Sequence, residues 1–187
     1  ARLFKRACKV LPGGISRSTI ALSPYPLYIR KGEAAYVHDE DGNRLLDLNN
    51  NYTSLIHGHG RREIVEAVSA QVANGTGFSF ATRAEVELAE LITARVDGFD
   101  QIRFMNSGTE AVMNMVKAAR AFTRRGKIAK CEGAYHGSYD YVEVSMDSGP
   151  EKWGNGWPKP VADTSGTPSS VNDDGVVLPF NDVEVSR

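Results

Sequence analysis

The chain has 187 residues, enough for one domain with a hydrophobic core, and its net charge of −1 predicts neither nucleic acid nor an anionic membrane as a partner. The two cysteines, Cys8 and Cys131, lie far apart without metal-ligand spacing, which predicts free thiols in a reducing compartment. No secretory signal is visible in Ala1 to Val10 and no apolar run approaches the roughly 20 residues that a membrane helix needs, so a cytoplasmic location is the default expectation.

The N-terminal segment begins with a short helix predicted over residues 1–11, which Pro12-Gly13-Gly14 ends. The polar loop 15–19 follows and carries one fixed cation, Arg17, which from the residues alone is a solvated loop arginine. Residues 26–48 predict a meander with strands at 27–29, 35–37 and 45–48 and turns at Lys31-Gly32 and Asp41-Gly42.

Three consecutive asparagines, Asn49 to Asn51, predict a loop, because asparagine is depleted at strand centres, and Tyr52 follows them directly. His57 and His59 have the spacing of a metal pair, but no third ligand lies nearby in the sequence. We therefore predict no metal site.

Two amphipathic helices are predicted next, over residues 62–73 and from Thr82 to about Val96, the second opened by a capping box of Thr82 and Glu85. Their apolar residues recur at helical spacing and are expected to face a core. These residues are Ile64, Val65, Val68 and Val72 in the first helix and Val86, Ala89, Ile92 and Val96 in the second.

The stretch from Phe104 to Ala111 has the pattern of a strand over 101–106, a tight turn and a helix over 110–124. The turn Ser107-Gly108-Thr109 is small and polar, and it lies at a helix N-terminus, where unpaired amides and the helix dipole favour an anion. Ser107 and Glu110 also have capping-box spacing, so a plain helix cap is the alternative. A nucleotide P-loop is disfavoured because no Gly-Lys-Ser/Thr follows.

A second strand is predicted over residues 127–131, and it leads into Gly133-Ala134-Tyr135-His136-Gly137. If strands 101–106 and 127–131 are parallel neighbours, both loops leave the edge of the sheet where open α/β folds bind ligands. The flat ring of Tyr135 beside an anion site suits a planar, phosphorylated ring. Residues 147–175, with Trp153 and Trp157, predict a long loop that is either a mobile excursion or a gate, and 176–178 predict a strand.

These motifs resemble those of the class III aminotransferases, which use pyridoxal 5'-phosphate (PLP), and the resemblance runs over essentially the whole chain. It implies the α/β fold of fold-type-I PLP enzymes, an α/β/α sandwich that is incomplete in this chain. Residues 1–60 would be an N-terminal segment and 61–187 the first part of the large PLP-binding domain of a homodimer with active sites near the subunit interface. The matching motifs are Asp39-Glu40-Asp41-Gly42, Gly58-His59, Glu85 to Leu91, Asn106 to Ala111, Gly133 to Gly137 and Phe180 to Glu184.

The resemblance also implies roles for individual residues. Ser107, Gly108 and Thr109 would hold the PLP phosphate, with Tyr135 stacked on the ring and His136 close by. Arg17 would bind the substrate carboxylate and Tyr52 would line the substrate pocket, as in the β-amino-acid aminotransferases. In the family, the lysine that forms a Schiff base with PLP lies downstream of the position of Arg187, so no catalytic residue is predicted among these 187.

The expected function is PLP-dependent transfer of an amino group from a carboxylate-bearing amino acid, with β-amino acids as candidate substrates. One alternative is glutamate-1-semialdehyde 2,1-aminomutase, an isomerase whose loop arginine would stand where this chain has Ile20. Another is a catalytically inactive fragment without the Schiff-base lysine. A Rossmann-like nucleotide binder is the weakest alternative, because no Gly-x-Gly-x-x-Gly follows a strand.

Overall fold

The computed structural model describes residues 2–152, 157–184 and 186. Within these ranges, none of the helices combines the length and the apolar character that crossing a membrane requires. The chain divides into two compact units, Ala1–Arg83 and Ala84–Arg187. The domain boundary at residue 60 that the resemblance implies differs from this division into compact units, and it stays a prediction.

The first unit begins with helix α1, Arg2–Ala7, which is shorter than the predicted 1–11, and a 3-10 turn at Pro12–Gly14. An antiparallel sheet of three strands follows in the order β1-β2-β3, as predicted. The strands are β1, Ile29–Glu33, β2, Tyr36–Asp39, and β3, Arg44–Leu46.

The turn predicted at Lys31-Gly32 is wrong. Gly32 lies in β1 opposite Val37, and the chain instead turns just after β1, where Ala34 has φ +50°. The backbones of Ala34 and His59 exchange two hydrogen bonds of 2.8 Å, and a Cβ at Gly32 would come within 2.5 Å of the His59 ring. Gly32 is therefore a site of close approach rather than a turn residue. The Asp41-Gly42 turn is confirmed, with Gly42 at φ +90°.

Helices α2, Arg62–Ala73, and α3, Arg83–Thr93, occur where they were predicted, although α3 ends earlier. Their expected burial is wrong: the four apolar residues predicted to face in from α2 are 44 to 56% exposed, and Val86 and Val96 are also exposed. Only Ala89 and Ile92 are half-buried. The physical reason is that, among the described residues, no helix or strand packs extensively on either helix.

The second unit contains helix α4, Gly108–Thr123, strand β4, Ile128–Cys131, and, after helix α5, Ser170–Asp174, the strand β5, Gly175–Leu178. Strands β4 and β5 pair in parallel, as the predicted strands 127–131 and 176–178 require. The strand predicted over 101–106 is wrong. An extended segment becomes a strand only when a neighbour accepts its hydrogen bonds, and no described strand pairs with this one.

The core of the second unit is made of valines, and it encloses one buried lysine. The Lys130 ammonium donates a hydrogen bond to the Val144 carbonyl, and burial lowers the pKa of Lys130 against the opposing effect of Asp163. The buried valines are Val116, Val142, Val144, Val171 and Val177.

The segment 147–175 is not entirely irregular, because it contains α5 and is held to the core. Asp163 accepts hydrogen bonds from the backbone amides of Met146 and Asp147, at 2.9 and 3.2 Å. Buried Ser145 donates to the Lys159 carbonyl and accepts from the Val161 amide. Trp153 lies outside the described residues, and the gate over an active site stays a prediction.

Candidate functional site

Helix α4 begins at a capped N-terminus, which is where the sequence places an anion site. The extended backbone of Ser107 brings its Oγ to accept a 3.2 Å hydrogen bond from the Glu110 amide. The Glu110 carboxylate accepts from the Asn106 amide at 2.8 Å, so the capping box exists, reaching one residue further back than the standard form. The amides of Gly108 and Thr109, in the first turn, have no acceptor within the helix, and the positive end of the helix dipole lies there.

The glycine-flanked loop after β4 lies directly against this N-terminus. The Ser138 amide donates to Thr109 Oγ1 at 3.1 Å. Buried Gly137 has φ +90°, and a Cβ there would lie 2.4 Å from Thr109 Oγ1 and 2.8 Å from Thr109 Cα. The loop after β4 and the N-terminus of α4 therefore meet, as predicted. They are held by a contact that only glycine permits at position 137, and not by a strand over 101–106.

The two loops enclose an open cavity of about 460 Å³. None of the described residues that line it carries a carboxylate, and a Cβ on Gly108 would meet nothing within 4 Å. Tyr135 is 64% exposed, so its side chain is accessible to a flat ligand. The lining residues are Ser107, Gly108, Thr109, Val112, Tyr135, His136 and Gly137, which include all five residues predicted to bind the cofactor.

Arg17 and Tyr52, the two residues predicted to bind substrate, lie in the first unit and share a neighbourhood. Arg17 Nη1 donates to Asn51 Oδ1 at 3.5 Å, and the Tyr52 hydroxyl donates to the Thr19 carbonyl at 3.3 Å. Both side chains are exposed. The loop that carries Arg17 and the segment that carries Tyr52 are thus joined by two polar contacts.

Tyr52 belongs to a left-handed turn that the sequence reasoning missed. Four consecutive residues, Asn50 to Thr53, have φ between +51° and +65°. Left-handed backbone costs roughly 1–2 kcal/mol per residue with a Cβ, and asparagine tolerates it better than most. The run of asparagines is the sequence signal for left-handed backbone, but by itself it predicts only a loop.

Hydrogen bonds from Asp47 and Asn49 hold this turn. Asp47 Oδ1 accepts from the Asn49 and Asn50 amides at 3.0 and 2.9 Å, and Asn49 Oδ1 accepts from the Tyr52 amide at 2.8 Å. The other carboxylate oxygen of Asp47 lies 2.8 Å from His59 Nε2. The hydrogen bond with His59, followed by that from the Asn50 amide, lowers the pKa of Asp47 below its usual value.

His57 and His59 do not form a pair in the structure. His57 Nδ1 lies 3.3 Å from Arg61 Nη1, whereas His59 contacts Asp47. Within the part of the chain that the structure describes, no three His, Cys, Asp or Glu side chains come together in a way that could hold a metal ion.

The sequence and the fold are both similar to those of known enzymes. The family model for Aminotransferase class-III matches residues 19–178. A glutamate-1-semialdehyde 2,1-aminomutase from Methanopyrus kandleri is 41% identical over 97% of this chain and 41% of its own length. The chain therefore spans about two fifths of the length of the curated relatives that it matches.

Among the solved structures that match 99% of this chain are two aminotransferases. An omega-transaminase from Sphaerobacter thermophilus is 50% identical, with a TM-score of 0.92, and the match covers 42% of its chain. A β-phenylalanine aminotransferase from Variovorax paradoxus is 33% identical, with a TM-score of 0.78, and the match covers 38% of its chain.

Proposed function

Because the chain belongs to the class III aminotransferase family, we propose that it supplies the phosphate-binding part of an enzyme that transfers amino groups with PLP. The family's enzymes use PLP, and the fold is part of the fold-type-I α/β architecture. The observation that carries the proposal is the cavity where the N-terminus of α4 meets Tyr135 and His136.

The residues of this cavity fit PLP. Two amides without helical acceptors, the hydroxyls of Ser107 and Thr109 and the helix dipole all favour a phosphate dianion. The open space at Gly108 gives the phosphate room, and no described lining residue opposes its charge. When bound, PLP supplies an electron sink for the carbanion formed beside a substrate amino group.

The residues of this chain would bind and orient PLP and the substrate. Ser107, Gly108 and Thr109 would fix the phosphate, and Tyr135 would cover one face of the ring and exclude water from it. Arg17 would bind the substrate carboxylate through its guanidinium fork, which matches a carboxylate bidentately, and Tyr52 would line the substrate pocket.

The proposed reaction is transfer of an amino group from a carboxylate-bearing amino acid, such as a β-amino acid, to an external acceptor. The 50% identity to an omega-transaminase and the similarity to a β-phenylalanine aminotransferase support this assignment. The 41% identity to an aminomutase supports the second candidate, isomerisation of glutamate 1-semialdehyde. An assay of the complete protein with and without a 2-oxo acid separates them, because an aminomutase needs no external acceptor. No activity with either an amino acid donor or glutamate 1-semialdehyde would support the remaining alternative, a catalytically inactive fragment without the Schiff-base lysine.

We also propose a cytoplasmic homodimer. The near-neutral charge and the free cysteines support the location, and the exposed apolar face of α2 supports burial of this surface in a larger assembly. Sedimentation velocity of the purified protein tests the dimer, and cell fractionation tests the location. A strictly monomeric protein would contradict the first proposal, and a membrane-bound or exported protein would contradict the second.

Changing Arg17 to Gln tests the proposed substrate site. The variant keeps hydrogen-bonding capacity but loses the cation, so we expect KM for a carboxylate-bearing amino donor to rise about 10- to 100-fold, the value of a charge-assisted hydrogen bond. The Kd for PLP should be unchanged. The control is Arg62→Gln, because Arg62 is exposed and its ion pair with Glu66 lies within its own helix. An unchanged KM in Arg17→Gln removes Arg17 from the site.

A further inference from the structure

We propose that Asn51 is a positioning residue for Arg17 and that its lack of charge helps the enzyme to select anionic substrates. The inference rests on the proposed role of Arg17 in binding the substrate carboxylate. Asn51 would orient the guanidinium through one hydrogen bond while leaving its positive charge available to a substrate.

The direction of the Asn51 side chain is fixed by its neighbours. Asn51 Nδ2 donates to Ser54 Oγ at 2.9 Å, and Ser54 Oγ uses its own proton to donate to the Asn51 carbonyl at 2.8 Å. Arginine has donors only, so it must face the amide oxygen. The two requirements agree, and Asn51 Oδ1 points at Arg17 Nη1, 3.5 Å away.

The backbone at Asn51 limits which residues could do this. Asn51 has φ +51°, in the middle of the left-handed turn that Asp47 and Asn49 hold. Asparagine and aspartate are the residues with short polar side chains that adopt this conformation most readily. Aspartate would fit the same space and backbone but has no N–H to donate to Ser54 Oγ, so the two residues differ at this position in charge and in that one hydrogen bond.

Among the described residues, no carboxylate balances the charge of Arg17. No ion pair among the described residues includes Arg17, and its side-chain partner is a neutral amide. An aspartate at position 51 would place a carboxylate where the substrate's carboxylate is proposed to compete for the same guanidinium. It would also repel the carboxylate of a substrate, whereas a substrate without a carboxylate would not compete for Arg17 and would be much less affected.

The test is Asn51→Asp in the complete PLP-loaded protein, with Asn50→Asp as the matched control. Asn50 has the same left-handed φ of +51°, and the side-chain hydrogen bond of Arg17 goes to Asn51 instead. Steady-state kinetics would compare β-phenylalanine with 1-phenylethylamine, an amine of similar shape without the carboxylate. Calorimetry would measure the Kd of 3-phenylpropanoate, which has no amino group to react.

We expect Asn51→Asp to raise KM for β-phenylalanine and Kd for 3-phenylpropanoate roughly 3- to 5-fold, from ion pairing with Arg17 and repulsion of the ligand. Its kcat, and its KM for 1-phenylethylamine, should stay within about twofold, as should every parameter of Asn50→Asp. This separation of ligands that carry a carboxylate from those that lack one is a readout that a merely structural defect would not produce.

Arg17→Gln, measured with the same ligands, distinguishes the proposed substrate-binding role of Arg17 from the positioning role of Asn51. If Arg17→Gln weakens only carboxylate ligands but Asn51→Asp does not, the role of Asn51 is overturned and the proposed substrate site survives. If neither variant distinguishes the two ligand classes, the role of Arg17 and the inference both fail. If Asn51→Asp weakens both ligand classes equally, its effect is structural and the inference is overturned.

Discussion

At the scale of single residues, Asp47 does most to shape the proposed substrate-binding segment. One of its oxygens accepts from two amides at the start of the left-handed turn, and the other contacts His59, whose backbone pairs with Ala34 at the end of β1. The turn that presents Asn51 and Tyr52 is therefore tied to the sheet through one carboxylate. The contacts of His59 with Asp47 and Ala34 cannot be predicted from local sequence, because they join positions that are distant in the chain, whereas those of Asp47 with Asn49 and Asn50 are local.

The lowered pKa of Asp47 predicts how the stability of this region depends on pH. The pKa is below the unfolded value of about 3.9, so the charged carboxylate stabilises the fold above about pH 4, and this contribution is lost as the pH falls through the folded pKa. Asp47→Asn should therefore be less stable than wild type at pH 6. The two proteins should approach each other in stability below about pH 4. Urea unfolding at both pH values checks this, and a difference independent of pH would contradict it.

At the scale of elements, the site depends on two loops rather than on the sheet that was expected to place them. The sequence correctly predicts α2, α4, β4, β5 and the meander, because those segments have helical or strand periodicity and clear boundaries. It fails for 101–106, since strand formation also depends on a partner that local sequence cannot show. The five predicted cofactor residues still share a cavity, because Gly137 packs on Thr109.

Gly137→Ala tests this contact between the loop and the helix, with Gly133→Ala as the control. Both glycines have positive φ, +90° and +71°, so both variants carry the backbone cost of a left-handed alanine. Only the new methyl at Gly137 meets Thr109, whereas the one at Gly133 meets nothing within 4 Å. We expect the Kd for PLP to rise more than about 10-fold in Gly137→Ala and less than about threefold in Gly133→Ala. Equal effects, measured by fluorescence titration, would show that the contact does not shape the site.

At the scale of the whole molecule, sequence periodicity identifies the apolar faces of α2 and α3 but not what covers them. The exposed valines and isoleucine of α2 have the spacing of a buried helix face, and Phe122 at the end of α4 is also exposed. Burial is a property of the complete fold, and the relatives that the chain matches are more than twice as long. The sequence predicts the family and the position of the site because both depend on short motifs within this chain.

The measurement that tests the central claim most directly compares Ser107→Asp with Ser107→Ala for PLP affinity and melting temperature of the complete protein. Aspartate caps a helix as well as serine, whereas alanine costs about 1 kcal/mol, so the Tm of the PLP-free protein should fall only in Ser107→Ala. If α4 binds the PLP phosphate, the added carboxylate repels it, and we expect Ser107→Asp to raise the Kd for PLP at least about 10-fold while remaining fully folded. A Ser107→Asp protein that binds PLP as tightly as wild type would show that this helix N-terminus is only a cap, and the account of the site would be wrong.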